Sequence, residues 1–184
     1  MDNPFIIGKS VYLRSLTLDD VDNDYYEWFN DKDTSKGNAH GIIPETKDRA
    51  IAFYNDLQNN KNIVHFAIVD IKTNQHIGCC SLQSINWVYR SAEMARIIGE
   101  KKFRGKGIGT EVGKLLLEYA FNTLNLHKIW LGNIALNEAA LKSKSNLNFK
   151  TDGVLRDAVF KNGRYYDVVI SSILKHEYTK QGEK

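Results

Sequence analysis

The chain is poor in residues that cross-link or punctuate, with two cysteines and two prolines among 184 residues. No apolar run approaches the length needed to span a bilayer. The cysteines are neighbours, Cys79 and Cys80. Adjacent side chains of a strand point to opposite faces, so this pair can form neither an ordinary disulfide nor a metal clip. Buried, reduced thiols and a cytoplasmic protein are the expectation. Charge of one sign is also scarce: 25 Lys and Arg against 22 Asp and Glu leave a net charge of +3, too small to imply a nucleic-acid partner. The opening Met1-Asp2-Asn3-Pro4 has neither a basic start nor a long apolar run, so neither a signal peptide nor a membrane partner is expected. The histidines His40, His65, His76, His127 and His176 are scattered without ligand spacing, and no metal is expected. No repeat, linker or low-complexity segment interrupts the chain. Residues 1–184 therefore read as one domain, with a core over about 9–176 and a polar, frayed tail.

What the chain does have is a glycine-rich turn, Arg104-Gly105-Lys106-Gly107-Ile108-Gly109. Upstream, residues 92–99 read as a strand entering the core. Downstream, residues 110–124 carry Val112, Leu115, Leu116, Tyr119, Ala120 and Leu124 at helical spacing. Glycines admit backbone angles closed to other residues and let a ligand approach the main chain. Amide N–H groups converging at a helix start suit phosphate oxygens, and Arg104 and Lys106 add positive charge. A close-packing turn would look the same. A Walker loop is excluded because Gly107, not Ser or Thr, follows Lys106. The dinucleotide fingerprint is excluded because Gly105, Gly107 and Gly109 alternate and lie late in the chain.

The remaining pattern places a half-buried first strand at residues 9–16 and a helix start at Thr17 or Asp19. Val21, Tyr25, Trp28 and Phe29 follow at core spacing. Residues 31–44 read as a long polar loop, a candidate wall for an acceptor substrate. A second helix over residues 46–59 is expected to bury Ala50, Ile51, Phe53, Tyr54 and Leu57. A hairpin pairs residues 63–71 with 76–84, and a further strand covers 127–135. A helix opens at Asn137 and ends near Asn148, and strand-like runs flank the turn at residues 161–164. This order predicts an α/β (α+β) fold: a central mixed, mostly antiparallel sheet flanked by helices, with one parallel crossover at the glycine turn.

Arg104, Gly107 and Gly109 fit the pattern Arg/Gln-x-x-Gly-x-Gly/Ala, which resembles the acetyl-CoA diphosphate loop of the GNAT N-acetyltransferases. Ser91-Ala92-Glu93, residues 124–129, Asn137-Glu138-Ala139-Ala140, residues 153–157 and residues 162–168 resemble, in order, the branch holding ribosomal-protein and spermidine acetyltransferases. The resemblance implies the GNAT fold and acetyl-CoA as co-substrate. It implies that the Arg96-Ile97-Ile98 backbone meets the pantetheine arm, with Arg104, Gly105, Lys106, Gly107, Ile108, Gly109 and Thr110 at the diphosphate. It also implies that the Asn137 side chain contacts that arm; a plain helix cap is the alternative, and one Asn could serve both purposes.

The sequence departs from the family at two catalytic positions. Lys144 stands where many members carry a tyrosine that protonates the departing thiolate, and Gly132 stands where a subset carries a glutamate base. Lys144 is a candidate for the tyrosine's task, or a solvated lysine on a helix face. Glu93 is the candidate general base, or a glutamate paired with Arg90; Arg96, three residues on, points to the other strand face.

The activity implied is direct transfer of an acetyl group to a primary amine. Trp28-Phe29-Asn30-Asp31 and Ile85-Asn86-Trp87 resemble members that modify amino sugars, so a nucleotide-linked amino sugar ranks first as acceptor, a protein N-terminus second and a polyamine third. A homodimer is compatible with the resemblance. From another class, a non-catalytic acyl-CoA-binding module would keep the loop and lose the chemistry.

Overall fold

A computed structural model of the chain describes residues 1–38, 40–135 and 137–182. It opens with β1 (Ile6–Ile7) and β2 (Val11–Ser15), then α1 (Leu18–Asp20), a π-helical turn (Val21–Tyr25), α2 (Tyr26–Asn30) and α3 (Lys32–Ser35). After α4 (Lys47–Leu57) come β3 (Val64–Asp70), β4 (His76–Asn86) and β5 (Ser91–Ile98). A 3-10 turn (Lys101–Phe103) leads to α5 (Ile108–Glu118), continued by a π-helical turn (Tyr119–Thr123). The chain finishes with β6 (Lys128–Ile134), α6 (Glu138–Asn146), β7 (Lys150–Lys161), β8 (Arg164–Leu174) and α7 (Lys175–Gly182).

The strands form one sheet in the order β1-β2-β3-β4-β5-β6-β8-β7. Every pairing is antiparallel except β5 with β6, where the crossover through α5 imposes parallel strands. The larger core lies between the sheet and α5 and gathers Leu13, Ile68, Leu82, Met94, Leu116 and Ile129. On the other face Tyr12, Tyr25, Trp28, Phe29, Ala50 and Val69 pack together. Cys79 and Cys80 divide between the two cores, as strand alternation requires. Both are free, and burial pushes the Cys79 thiol up to about 12.

Two glycines set how tightly β5 is gripped. A Cβ at Gly78, opposite Ile98, would come 2.2 Å from the Ile97 carbonyl oxygen, so only glycine lets β4 lie so close. At Gly99 a Cβ would strike the buried Trp28 indole at 2.0 Å; the ring therefore rests on bare backbone just past the end of β5.

Local signals hold where chemistry is local. Thr17 caps α1 in a reciprocal capping box with Asp20, whose carboxylate also takes both terminal nitrogens of Arg14 at 2.5 and 2.8 Å. Asn148 ends α6 with φ +58°, the left-handed conformation that asparagine tolerates. Asn162 and Gly163, at φ +52° and +80°, make the β7–β8 turn.

Other expectations change. β2 is buried on both faces, because a short strand, β1, pairs beyond it and helices cover the Tyr12 side. Residues 31–44 hold a helical turn, α3, whose start Asp31 caps by accepting from the Thr34 amide. In α4 only Ala50 is buried and Phe53 is 36% exposed, since α4 lies mainly against the π-helical turn. The expected frayed tail is helical through residue 182 as α7; its last two residues lie outside the described residues.

Candidate active site

The site begins where two strands part. β5 and β6 pair only over Ser91↔Lys128, Ala92↔Ile129 and Glu93↔Trp130. Both then run on, β5 to Ile98 beside β4 and β6 to Ile134 beside β8, with no further pairing between them. From Met94 onward β5 therefore presents a free edge of backbone donors and acceptors inside the sheet. Such groups need partners, and an extended ligand with amide groups can supply them.

The glycine turn stands at the far end of that edge. Gly105 and Gly107 adopt φ of +73° and +80°, which excludes most side chains there. Gly107 caps α5 without a side-chain bond, while its carbonyl accepts from the Thr110 and Glu111 amides. Among the described residues the amides of Ile108 and Gly109 donate to no backbone acceptor. A Cβ added at Gly105, Gly107 or Gly109 would meet nothing within 4 Å. Open space, free amides and a helix start are the features an anion such as a diphosphate can use.

The charged side chains of the turn divide. Lys106 stays exposed, its Nζ 5.5 Å from the centre of the Phe103 ring. Arg104 turns back into the protein. Its Nε donates to the Ile98 carbonyl at 2.9 Å, and its Nη2 to the Gly99 carbonyl and the Thr34 hydroxyl, both at 2.6 Å. Its guanidinium thus ties the end of β5 to α3. Lys101 adds a second tie, 3.0 Å from both Asp31 and Asp33. The Lys101 ammonium, with the Thr34 amide and hydroxyl, holds the Asp31 carboxyl well below the ordinary range.

At the strands' point of parting stands Glu93, half-buried, its carboxylate without a hydrogen bond or ion pair among the described residues. The alternative pairing with Arg90 does not form. Ile97, on the Glu93 side of β5, packs with the Tyr12 core, while Met94 and Ile98 pack with the α5 core. Glu93 and Arg96 hence face opposite sides of the sheet. Arg96 and Ser143 of α6 are 3.4 Å apart, and Ser143 and Thr110 of α5 are 3.3 Å apart, so a polar chain links β5, α6 and α5.

Asn137 and Lys144, at the two ends of α6, are both engaged within the protein. Asn137 caps α6 by accepting from the Ala140 amide and donates from Nδ2 to the Gly37 carbonyl, each at 3.0 Å. Lys144 donates to the hydroxyls of Thr151 and Ser171, at 3.1 and 3.0 Å, on β7 and β8. The structure brings Glu93, the free edge and the glycine turn onto one line, but directs the Lys144 ammonium to other strands.

Sequence reasoning missed what holds residues 31–44. Lys161, at the end of β7, donates to the carbonyls of Ser35, Asn38 and His40 at 2.5, 3.1 and 3.3 Å. With Asn137 and Arg104 it strings the segment from the end of β5 to the start of α6 and the β7–β8 tip. No local pattern announces such bonds, which join residues more than 120 positions apart. Beside the segment lies a hollow of about 240 Å³ walled by Tyr25, Phe29, His40 and Phe53, with Glu45 and Arg49 at its edge.

Comparison with known proteins agrees with this geometry. Residues 10–150 match the family described as Acetyltransferase (GNAT) domain. An uncharacterized N-acetyltransferase, p20 of Bacillus licheniformis, is 30% identical over 167 residues, covering 90% of this chain and 93% of that protein. The spermidine N(1)-acetyltransferase of Vibrio cholerae is 34% identical over 139 residues, covering 76% of this chain and 79% of that protein. A crystal structure of spermidine N-acetyltransferase from Vibrio cholerae in complex with CoA and spermine superposes with TM-score 0.84 at 29% identity, over 92% of this chain and 98% of that one. A strand pair that parts beside a glycine-capped helix, on a chain that matches these proteins over more than three quarters of its length, makes this protein a member of the GNAT family and an acetyl-CoA-dependent N-acetyltransferase.

Proposed function

We propose that the chain acetylates a small primary amine of the polyamine class, with acetyl-CoA lying along the free edge of β5. The observation that carries this reading is the end of β5–β6 pairing at Glu93↔Trp130, with an open glycine turn at the other end of the exposed strand. The turn receives the diphosphate on the Ile108 and Gly109 amides, with Lys106 beside it. Backbone groups of Arg96, Ile97 and Ile98 pair with the amide-bearing arm. Glu93, at the point of parting, takes the proton from the attacking amine. Arg104 acts indirectly, by fixing the strand end from which the turn departs. Asn137 does the same for the segment over the site.

The amino-sugar acceptor ranked first on sequence resemblance finds no support among the relatives named above. The named relatives with a stated acceptor act on spermidine, and one was solved with spermine. The hollow beside residues 31–44 supports the same class through its aromatic walls, which suit an ammonium group. Asp31 and Asp33 are paired with Lys101 and Glu45 with Arg49, whereas Glu93 has no such partner among the described residues. The test is free-thiol release from acetyl-CoA across an amine panel. Spermidine should turn over faster than an N-terminal peptide or a nucleotide-linked amino sugar. Turnover of the amino sugar alone would reverse the acceptor assignment, and release with no amine would end the reading.

A further inference from the structure

A guanidinium stands between α5 and α6 without an anion. Arg96 lies on the stretch of β5 that no longer pairs with β6, and its side chain enters the α5 face. Nη1 is 3.0 Å from the Met94 sulfur and Nη2 is 3.4 Å from the Ser143 hydroxyl. A Cβ at Gly113 would come 2.5 Å from Nη1, so α5 rests directly against the group. Among the described residues no carboxylate pairs with it. The other titratable group acting on it is the Cys80 thiol, which burial keeps neutral. Desolvation lowers the pKa of Arg96 to about 10, so it still carries its charge at neutral pH. A cation so placed is costly unless an anion joins it. Apolar residues of similar length would serve packing better, so packing alone does not account for arginine at this position.

We infer that Arg96 stabilises the thiolate that leaves when the acetyl group is transferred; this rests on the proposed course of acetyl-CoA along β5. Strand alternation supports it. Glu93 and Arg96 are three residues apart, about 10 Å along the strand, and face opposite sides. The amine and its base then occupy one side of the thioester, and the departing sulfur has a cation on the other. The diphosphate is served elsewhere, by the open amides of the turn. In the reaction the amine nitrogen bonds to the acetyl carbon and the carbon–sulfur bond breaks, its electron pair going to sulfur. The amine's proton passes to Glu93 and from there to solvent, and the thiolate takes its proton from solvent, releasing amide and free thiol. Arg96 stays protonated throughout. Lys144, bound to Thr151 and Ser171, is not required for this step.

The test reads the ultraviolet thiolate absorbance of CoA bound to the intact protein across pH. In the wild type the bound thiol should ionise at least one unit below that of free CoA measured in the same buffer. Arg96→Met should abolish that shift and lower kcat on spermidine by roughly 10²-fold, leaving the Kd for CoA nearly unchanged. Arg96→Lys should restore part of both. The Met variant should also melt higher than wild type without ligand, because a half-buried charge with no carboxylate partner has been removed. An unshifted wild-type thiol would overturn the inference even if Arg96→Met failed to fold. An equal loss of CoA affinity and kcat/KM in Arg96→Met, with kcat intact, would assign the guanidinium to ground-state binding and overturn it too. Wild-type protein that does not bind CoA would instead refute the underlying course of the co-substrate.

Discussion

Asn137 donates from its side-chain amide to the carbonyl oxygen of Gly37, 3.0 Å away and 100 positions earlier in the chain. The contact is close: a Cβ at Gly37 would lie 2.4 Å from the same nitrogen. One side chain therefore closes the start of α6 and holds the segment that borders the acceptor side. The two tasks separate by mutation. Asn137→Asp keeps the capping oxygen and deletes the donor; Asn137→Ala deletes both. The alanine should cost about 1 kcal/mol of stability in urea denaturation. The aspartate should stay within roughly 0.5 kcal/mol of wild type. Both should raise the KM for the amine several-fold. If the Asp variant instead weakens CoA binding and leaves that KM alone, the side chain serves the co-substrate's arm.

Gly109 allows stability and ligand binding to be pulled apart. It lies in the first turn of α5 with ordinary helical angles, and a Cβ there meets nothing. Gly109→Ala should therefore stabilise the ligand-free protein by roughly 0.4–1 kcal/mol, through the unfolded chain. The same methyl would project where the diphosphate is proposed to lie, and CoA affinity should fall by about tenfold or more. Gly107→Ala should weaken both, since φ of +80° costs an alanine about 1–2 kcal/mol. Calorimetric titration beside thermal melts decides it: undiminished CoA affinity in Gly109→Ala would mark the turn as packing only.

His65 should shape the acid limb of stability. Its Nε2 is buried without a partner among the described residues, and Tyr25 and Phe53 meet its ring edge to face. Burial lowers its pKa from 6.5 to about 4, with His76 adding to the effect. The unfolded chain thus binds a proton that the folded chain refuses between those values. The contribution is complete above pH 6.5 and is lost as pH falls toward 4, on the order of 3 kcal/mol in all. His40, lowered mainly by desolvation, pulls in the same direction. In His65→Met, urea midpoints measured from pH 7 to pH 4.5 should decline less steeply. A decline parallel to wild type would place the proton uptake elsewhere.

Legibility in the sequence followed the range of the interactions. The glycine turn, the apolar strand before it and the periodic helix after it are contiguous, so their order predicted the parallel crossover and the sheet around it. The Cys79–Cys80 pair needed only strand alternation, and Thr17 and Asn148 only local backbone preference. Arg104 shows the limit. An arginine in such a turn reads as a phosphate contact, and only the folded chain shows its guanidinium held by Ile98, Gly99 and Thr34. Lys144 is similar, because helical spacing assigns a face but not the strands β7 and β8 opposite it. Arg96 was legible as a strand residue, whereas its lack of an anion depends on α5 and α6 closing over it.

Glu93 carries the last prediction. It occupies the final paired position before β5 and β6 part, and its carboxylate has no partner among the described residues. Gly132, two residues beyond Trp130, offers no side chain for proton transfer, and a Cβ there would meet Val168 at 3.2 Å and Ile170 at 3.4 Å. An acid at position 132 would press on those side chains, and the proposed mechanism gives the proton to Glu93 instead. Glu93→Gln preserves the shape and removes the base. Turnover should fall by roughly 10²-fold or more, the usual contribution of a positioned base. CoA affinity should hold, because the side chain points away from the α5 face, and the acid limb of the rate profile should vanish with the carboxylate. Comparing kcat against pH for the two proteins, at saturating acetyl-CoA and spermidine, settles the assignment. A Gln variant that keeps both its rate and its acid limb would hand the proton to water or to another residue.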